Sequence, residues 1–552
     1  MNDQTNPVNA TTVKAATDSV VERQSTDSAP SAPPSACSVL SAALPNPASP
    51  PSAPPRLRCA DRQQQLPAMI IDELIEPDHP ARAVWRFVET LELSPLYDAI
   101  RSRLGSDGRS AIDPLILLAL WLYATLDGIL SARRLAKLCQ RDHPYRWLAG
   151  GIAVNYHTLA DFRVDHLEFL EYTFEHSVEV LRQQGFVKLD RVAQDGMRVR
   201  ASAGAASFRR RETLEKALED AQAEVDRLDR QLQETAQQET AAPQQAAGPA
   251  VETVATQRVD TAEPAVQQEV TTEPAVQQEV AAASLAVQHE QAAASPQIQQ
   301  EAIAQQSAEP GDEQQTPTTR QGKAQQRAAF ERLERVQQAI ERLPEMEAKK
   351  KPDEKQKARV STTDPQATVM KMGDGGFRPA YNFEYSTDTV SQVIVGVEVV
   401  TEGSDQGQVP PMLDQIEERF EKRPEEVLVD GGCANHHDVE KVQKGVEGKQ
   451  GCRVYSPVPK PKKEGVDRYA PHAGDSEEVA EWRARMATDT AKEIYKERAS
   501  TAECVNAQAR NRGLIRVLVR GLQKVKAIAL WIAIAHNVAR GFALLHGYPL
   551  GS

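Results

Sequence analysis

Cysteine is scarce. The six in 552 residues, Cys37, Cys59, Cys139, Cys433, Cys452 and Cys504, form no CxxC pair and no Cys/His cluster at zinc spacing. This argues against a disulfide framework and reads as reduced, intracellular thiols. Aromatic residues make up only 5% and proline is frequent, so part of the chain is expected to lack a core. Long apolar runs are missing too. LILLALWLYATL at 115–126 and AIALWIAIA at 527–535 are too short to span a bilayer and read as buried helices, so no membrane partner is expected. The N-terminal stretch MNDQTNPVNATTVKAATDS lacks the charged and apolar regions of a signal peptide. Finally, no Asp or Glu follows Glu503, whereas seven Lys/Arg do.

That last absence changes the meaning of the net charge of −13. Residues 236–319 carry twelve Asp/Glu and one Arg, so the rest of the chain is nearly neutral and its C-terminal end is basic. The distribution, and not the sum, bears on nucleic-acid binding.

Composition divides the chain. Residues 1–60 are a Ser/Pro/Ala-rich leader, expected to be disordered. Residues 61–186 read as an all-α N-terminal domain. Val84, Phe87, Val88 and Leu91 recur at helical spacing, and Asp113-Pro114 is an N-cap followed by proline at the first helical position. Two short basic helices, from Ser131 and from His157, flank a turn at Ala149-Gly150-Gly151. They suggest a helix-turn-helix-like DNA-binding unit, or more plainly a bundle with a solvated basic face. Residues 205–354 read as an insertion of two coiled-coil-like helices, 206–235 and 324–351, joined by the acidic low-complexity loop 236–319. That loop repeats EPAVQQEV at 263–270 and 273–280.

Strand periodicity appears at 187–203 and returns at 380–386 and 390–400. A helix at 409–421, a strand at 426–430, a helix at 435–444, a strand at 452–456 and a helical region from about 476, with a break at Gly513, follow. This α/β order, with a mixed sheet, is similar to that of an RNase H-like catalytic domain built from 187–204 and 355–545.

The run YKERASTAECVNAQAR concentrates the chemistry. On one continuous helix Tyr495, Arg498, Glu503 and Arg510 would fall within an arc of about 140°. Asp195, in RVAQDGMRVRA, and Asp430, in VLVDGG, lie in strand-like settings upstream. Two aspartates and a glutamate that converge can hold divalent metals for phosphoryl transfer. Each also has a plainer reading. Either aspartate could close a turn before glycine, and Glu503 could be an exposed helix glutamate. Asp388 and Asp405 read as strand-end or loop residues. His157, His436, His437 and His536 read as structural or exposed.

Several runs together resemble the DDE transposases of bacterial insertion sequences, most closely insertion sequence family 1182 in the branch with a Tyr-Arg-Glu-Lys signature. They include DHPARAVWRFVE, YRWLAGG followed by YHTLADFR, VAQDGMRVRASA, STTDPQATVMK, YNFEYSTD, VLVDGG, EWRARMATDTAKEIYKERASTAE and NRGLIRVLVRGLQKV. They cover roughly 60–204 and 355–545. The resemblance implies a catalytic triad of Asp195, Asp430 and Glu503 holding two Mg²⁺ ions, with Mn²⁺ as a substitute. Tyr495 and Arg498 match the signature, and Arg510 takes the place of its lysine. Four residues, rather than the commonest three, separate Arg498 from Glu503.

The implied partners are double-stranded DNA, both terminal inverted repeats and target, and a second copy of the chain on paired ends. The implied setting is the bacterial cytoplasm and nucleoid. Arg512, Arg516, Arg520 and Lys524, spaced by four, would line one helix face along the DNA backbone. The alternative is a DNA-binding protein on the same fold that no longer cuts.

Because 240–318 lacks apolar periodicity, deleting it should leave folding intact. A large fall in the thermal midpoint would contradict this.

Overall fold

The computed structural model describes residues 70–100, 110–241, 320–433, 435–445, 450–461 and 465–546. The leader 1–60 and nearly all of the 236–319 tract lie outside the described residues.

Among the described residues, seven α-helices precede the sheet: α1 Pro80–Glu89, α2 Ser94–Asp98, α3 Pro114–Leu126, α4 Ala132–Arg141, α5 His143–Leu148, α6 Tyr156–Asp165 and α7 Leu167–Gln183. Asp113 accepts a hydrogen bond from the Leu115 amide at 2.9 Å, so α3 starts with the cap and proline that its sequence carries. Helix α3 is apolar on every side and therefore sits in the interior, with Leu118, Leu120, Trp121 and Leu122 fully enclosed. The two basic helices, α4 and α6, are separated by the short helix α5 and not by a single turn.

Strand β1, Arg191–Arg200, then enters the centre of a six-stranded mixed sheet. After β2 Phe208–Arg209, the chain leaves through α8 Arg211–Ala241 and returns through α9 Arg320–Ala348. Leu214 meets Ala339 and Leu343, while Val225 and Leu228 meet Ala329 and Leu333, so the two helices run antiparallel. Strand β3 Val360–Ser361 closes the base of this arm by pairing with β2. Strands β4 Thr368–Lys371, β5 Phe377–Asp388 and β6 Ile394–Val400 follow, then α10 Val409–Phe420, β7 Glu426–Leu428, α11 His436–Lys444 and β8 Arg453–Tyr455.

The sheet order is β6-β5-β1-β7-β8, with β4 also on β5. Strand β1 is antiparallel to β5 and parallel to β7, which is parallel to β8. Residues 379–388 of β5 are buried without alternation, as expected for a strand covered on both faces.

The C-terminal part contains α12 Glu477–Ala487, α13 Asp489–Arg498, a π-helical turn Ala499–Glu503, α14 Cys504–Asn511 and α15 Leu522–His546. Helix α15 is long and apolar enough to cross a membrane by composition, yet 67% of its most apolar window is buried inside the protein. It packs on α3, α6, α7 and β6. It thus joins the helical segment and the sheet in one continuous core.

The tie between α15 and β6 is polar. Asn537, 1% exposed, accepts from the Ile394 amide at 2.8 Å and donates to the Ile394 carbonyl at 2.9 Å and to Ser177 Oγ at 3.2 Å. Its side chain satisfies one full residue of edge-strand backbone that water cannot reach. Asn537→Ala should lower stability by roughly 2–4 kcal/mol, read from the urea midpoint, because it leaves a buried donor and acceptor unpaired. A loss under about 1 kcal/mol would mean that other groups satisfy Ile394.

Candidate active site

Asp195 sits at the middle of β1, level with Tyr385 of β5. Both its carboxylate oxygens are held. Arg498 Nη2 donates to Oδ1 at 2.8 Å, and Asn506 Nδ2 donates to Oδ2 at 2.9 Å. The other arm of the same guanidinium, Nη1, donates to Glu503 Oε1 at 2.6 Å. Arg498 therefore spans two carboxylates that lie 308 positions apart in the sequence. Its side chain is only 9% exposed, against 19% for Asp195 and 55% for Glu503.

Asp430 follows β7 by two residues. The β1–β7 register pairs Ala193 with Leu428, and continuing it by two residues sets Asp430 level with Asp195. The Asp430 carboxylate accepts from the Gly431 amide at 2.7 Å. Burial pushes the Asp195 carboxyl above the usual aspartate range. Arg498 and Asn506 pull it back, while the charges of Asp405 and Asp430 add to the rise. Burial alone would weaken the Arg498 cation, but the charges of Asp195, Tyr495, Asp430 and Glu503 outweigh it and hold the cation firmly protonated. Tyr495 is half-buried, and that burial raises its phenol.

The extra residue between Arg498 and Glu503 has a structural outlet. The run is not one α-helix, because residues 499–503 form a π turn. A π turn takes up one residue more than an α turn. It therefore lets a spacing of five bring Glu503 back to the guanidinium, where an ideal α-helix would carry it about 140° round the axis.

A family model described as a transposase domain (DUF772) matches residues 69–165. A second, described as a transposase DDE domain, matches residues 445–542 and so spans Tyr495, Arg498 and Glu503. Together the two matches support a DDE-type transposase of an insertion sequence. No curated protein and no solved structure matches the chain. In the transposase, the first match covers α1 to α6 and the second covers α12, α13, α14 and most of α15. Asp195 and Asp430 fall between the two.

Among the described residues, no three Asp, Glu, His or Cys side chains stand close enough together to hold a metal ion in this arrangement. The groups at Asp195 nonetheless fit a hard divalent cation. All the acidic donors are carboxylate oxygens, Asp195 feels the charges of both Asp405 and Asp430, and among the described residues Arg498 is the one cation bonded to the Asp195 carboxylate.

Two more acids complete the pocket: Asp405, which the sequence offered only as a strand-end or loop residue, and Glu384, which it did not single out. Asp405, in the loop before α10, and Glu384, on β5, lie against Gly196, where a β-carbon would overlap both carboxylates. Glycine after Asp195 is therefore a packing requirement, and it was the available signal for this pair. Asn382 Nδ2 donates to Glu384 Oε1 at 2.7 Å and to Asp405 Oδ1 at 2.6 Å, and Gln194 Nε2 donates to Glu384 Oε2 at 3.1 Å. Asp388, in contrast, is a turn residue: its Oδ1 accepts from the Val390 and Ser391 amides and from Ser391 Oγ. His536 is buried on the Gln392 carbonyl and pushed down to about 4 by desolvation.

The basic helix face expected after Glu503 does not form. Helix α14 ends at Asn511 and α15 starts at Leu522, so Arg512, Arg516 and Arg520 occupy a non-helical connection and Lys524 opens the next helix. Gly513 and Gly521 both adopt φ of +88°, which ends one helix and precedes the other. Between them, the Arg200 amide donates to the Ile515 carbonyl at 3.1 Å and the Val517 amide to the Arg200 carbonyl at 2.9 Å. Pairing with the end of β1 thus replaces helix. Arg512 is partly buried, with its Nη1 unpaired, and burial lowers its affinity for the proton. Arg510 and Arg516 are exposed.

Burial, together with the charge of Asp405, pushes Glu384 from 4.5 up to about 8. The folded chain therefore keeps a proton that the unfolded chain releases. The stability contributed by this group is complete below about pH 4.5 and is lost as pH rises toward about 8. Glu384→Gln, which stays neutral, should gain in thermal midpoint relative to wild type as pH goes from about 5 to about 8. A constant offset across that range would contradict the assignment.

Proposed function

We propose that this transposase binds the terminal inverted repeats of an insertion sequence of family 1182 and catalyses Mg²⁺-dependent strand cleavage and strand transfer there. The observation that carries this reading is the single guanidinium of Arg498 gripping Asp195 and Glu503 beside Asp430. The strand order β6-β5-β1-β7-β8, with β1 parallel to β7, supports an RNase H-like catalytic domain. In that arrangement the first acid is on the central strand and the second lies just beyond the end of its parallel neighbour.

Asp195, Asp430 and Glu503 would hold the two ions, with Mn²⁺ as a substitute. The chemistry supplied when they are bound is activation of a water or 3′-hydroxyl and neutralisation of the leaving oxygen. Asn506 fixes the orientation of the Asp195 carboxylate. Gly196 leaves room for Asp405 and Glu384, and the neutral Glu384 spares the pocket one further negative charge. Arg498 balances the carboxylates and offers a planar donor to a phosphate at the cut end. Tyr495, within reach of the charges of Arg498, Asp430 and Glu503, would donate a hydrogen bond to a phosphate near the terminal nucleotide. Arg510, Arg516 and Lys524 are exposed cations suited to the DNA backbone. Paired ends call for a homodimer, acting in the bacterial cytoplasm.

Nicking of a duplex that carries the element's end, with Mg²⁺ present, tests the reading. Asp195→Asn and Glu503→Ala should fall to the no-enzyme background while both still retard the duplex. Equal nicking by wild type and Glu503→Ala would remove the active-site assignment. Loss of both cutting and binding in Asp195→Asn would make that residue structural.

A further inference from the structure

The inserted arm brings its own charge to the catalytic domain. Arg209 of β2, Lys216 of α8, Arg332 and Arg335 of α9, and Arg520 of the α14–α15 connection line one cavity of about 430 Å³ at the arm's base. The single carboxylate in its lining is Asp220. These cations come from three separate stretches of chain, 209–216, 332–335 and the connection at Arg520, so no local pattern forces them together.

Their compensation is partial: the charges of Asp364 and Glu331 reach Arg520, and that of Glu224 reaches Arg332. Among the described residues, Arg209, Lys216 and Arg332 make no ion pair. Arg335 reaches only the exposed Glu331, at 3.6 Å, and its buried Nε has no partner. Arg520 is anchored by a 3.4 Å bond from its Nε to the Ser202 carbonyl. Burial, then the charge of Arg335, lowers its hold on the proton. Mutually repelling guanidiniums with a spare buried donor, gathered round an open cavity, form a receptor for anionic oxygens.

The route from the candidate active site fixes which anion. Strand β1 runs from Asp195 to Arg200, five residues or roughly 16 Å. There Arg200 pairs with the backbone of Ile515 and Val517, which sets Arg516 beside it. Four residues on, Arg520 enters the cavity. Arg200 and Arg516 are both exposed, so cations mark the path from the carboxylates to the arm. Evenly spaced phosphates on a stiff duplex match such a path, and a lone small anion does not need one.

We infer that the base of the arm is a clamp for the phosphodiester backbone of duplex DNA, several base pairs from the scissile position. The inference rests on the reading of the chain as a DNA-cutting transposase, to which it adds a function for the insertion. The cavity then adds affinity and register without reading sequence, because phosphate contacts carry no base information.

The test measures binding of the full-length protein to a fluorescent duplex of the element's end, in EDTA, over a range of salt. Lys216→Ala/Arg332→Ala removes two exposed cations at positions where the fold does not depend on them. Each lost phosphate contact should reduce the slope of log K against log [salt] by about 0.9, so the variant's slope should be shallower by about 2. Lys441→Ala/Lys444→Ala, on the exposed face of α11, removes the same charge elsewhere and should leave the slope unchanged. Wild-type slope and affinity in the arm variant would overturn the inference, as would an equal effect of both variants, which would reduce it to net charge. Because binding is read without metal, the two readings fail separately. A wild type that nicks alongside an arm variant of unaltered slope sinks only the clamp. A shallower slope with no nicking by wild type sinks only the active-site assignment.

Discussion

The bond that the catalytic half is built around is the two-armed grip of Arg498. One guanidinium joins the central strand, through Asp195, to the π turn, through Glu503. A charge-assisted hydrogen bond of this kind contributes about 1.5–3 kcal/mol. The two arms are not equal. Glu503 is more than half exposed, so solvent screens its pairing. Asp195 is largely enclosed, and removing Arg498 would leave a carboxylate among carboxylates, a loss of the kind that costs 3–5 kcal/mol when one partner of a buried pair is deleted.

Acidic and basic groups are sorted in space more cleanly than in sequence. Asp195, Asp405, Asp430 and Glu384 gather at the carboxyl end of the parallel strands and the loops nearby. Left fully ionised, they would repel one another and the fold around them. Two devices limit this. Glu384 keeps its proton near neutrality because it is buried and faces the charge of Asp405, against the opposing pull of the Gln194 amide. Arg498 at Asp195, and Arg198 at 3.9 Å from Asp405, supply positive charge. The surrounding cations, from Arg510 through Arg516 to the arm, face outward, so the same domain presents a negative pocket within a positive surround.

The core explains how these parts hold their positions. The chain is interrupted by a long insertion after β1, yet the insertion is tied back at its base. Beyond the β2–β3 pair, Arg342 donates to the Pro365 carbonyl, Asp364 accepts from Tyr381 and from the Gly521 amide, and Gln366 accepts from the Leu522 amide. These bonds tie the α14–α15 connection to the arm. Helix α15 then buries its apolar surface against both the N-terminal helices and β6, so the first and last described segments stabilise each other.

Local chemistry settled much of this in the sequence alone. The cap at Asp113-Pro114, the alternation of β1, the leucine spacing of the arm and the order of strands after residue 375 each reflect interactions within a few residues, and so they are visible in the text of the chain. So were Asp195, Asp430, Glu503 and Arg498 as a group, because their surrounding runs resemble a known signature. What tertiary structure decided is of another kind. The four-residue rhythm of Arg512, Arg516 and Arg520 imitates a helix, but pairing with the end of β1 and two glycines at positive φ override it. Asp405 and Glu384 join the pocket only because the sheet register sets Glu384 opposite Gly196 and the next loop folds over it. The π turn and the cavity at the arm's base depend on partners up to some three hundred residues away. Sequence records propensities that act over one or two turns of chain. Which distant charges become neighbours is fixed by how the core packs, and no local pattern encodes that.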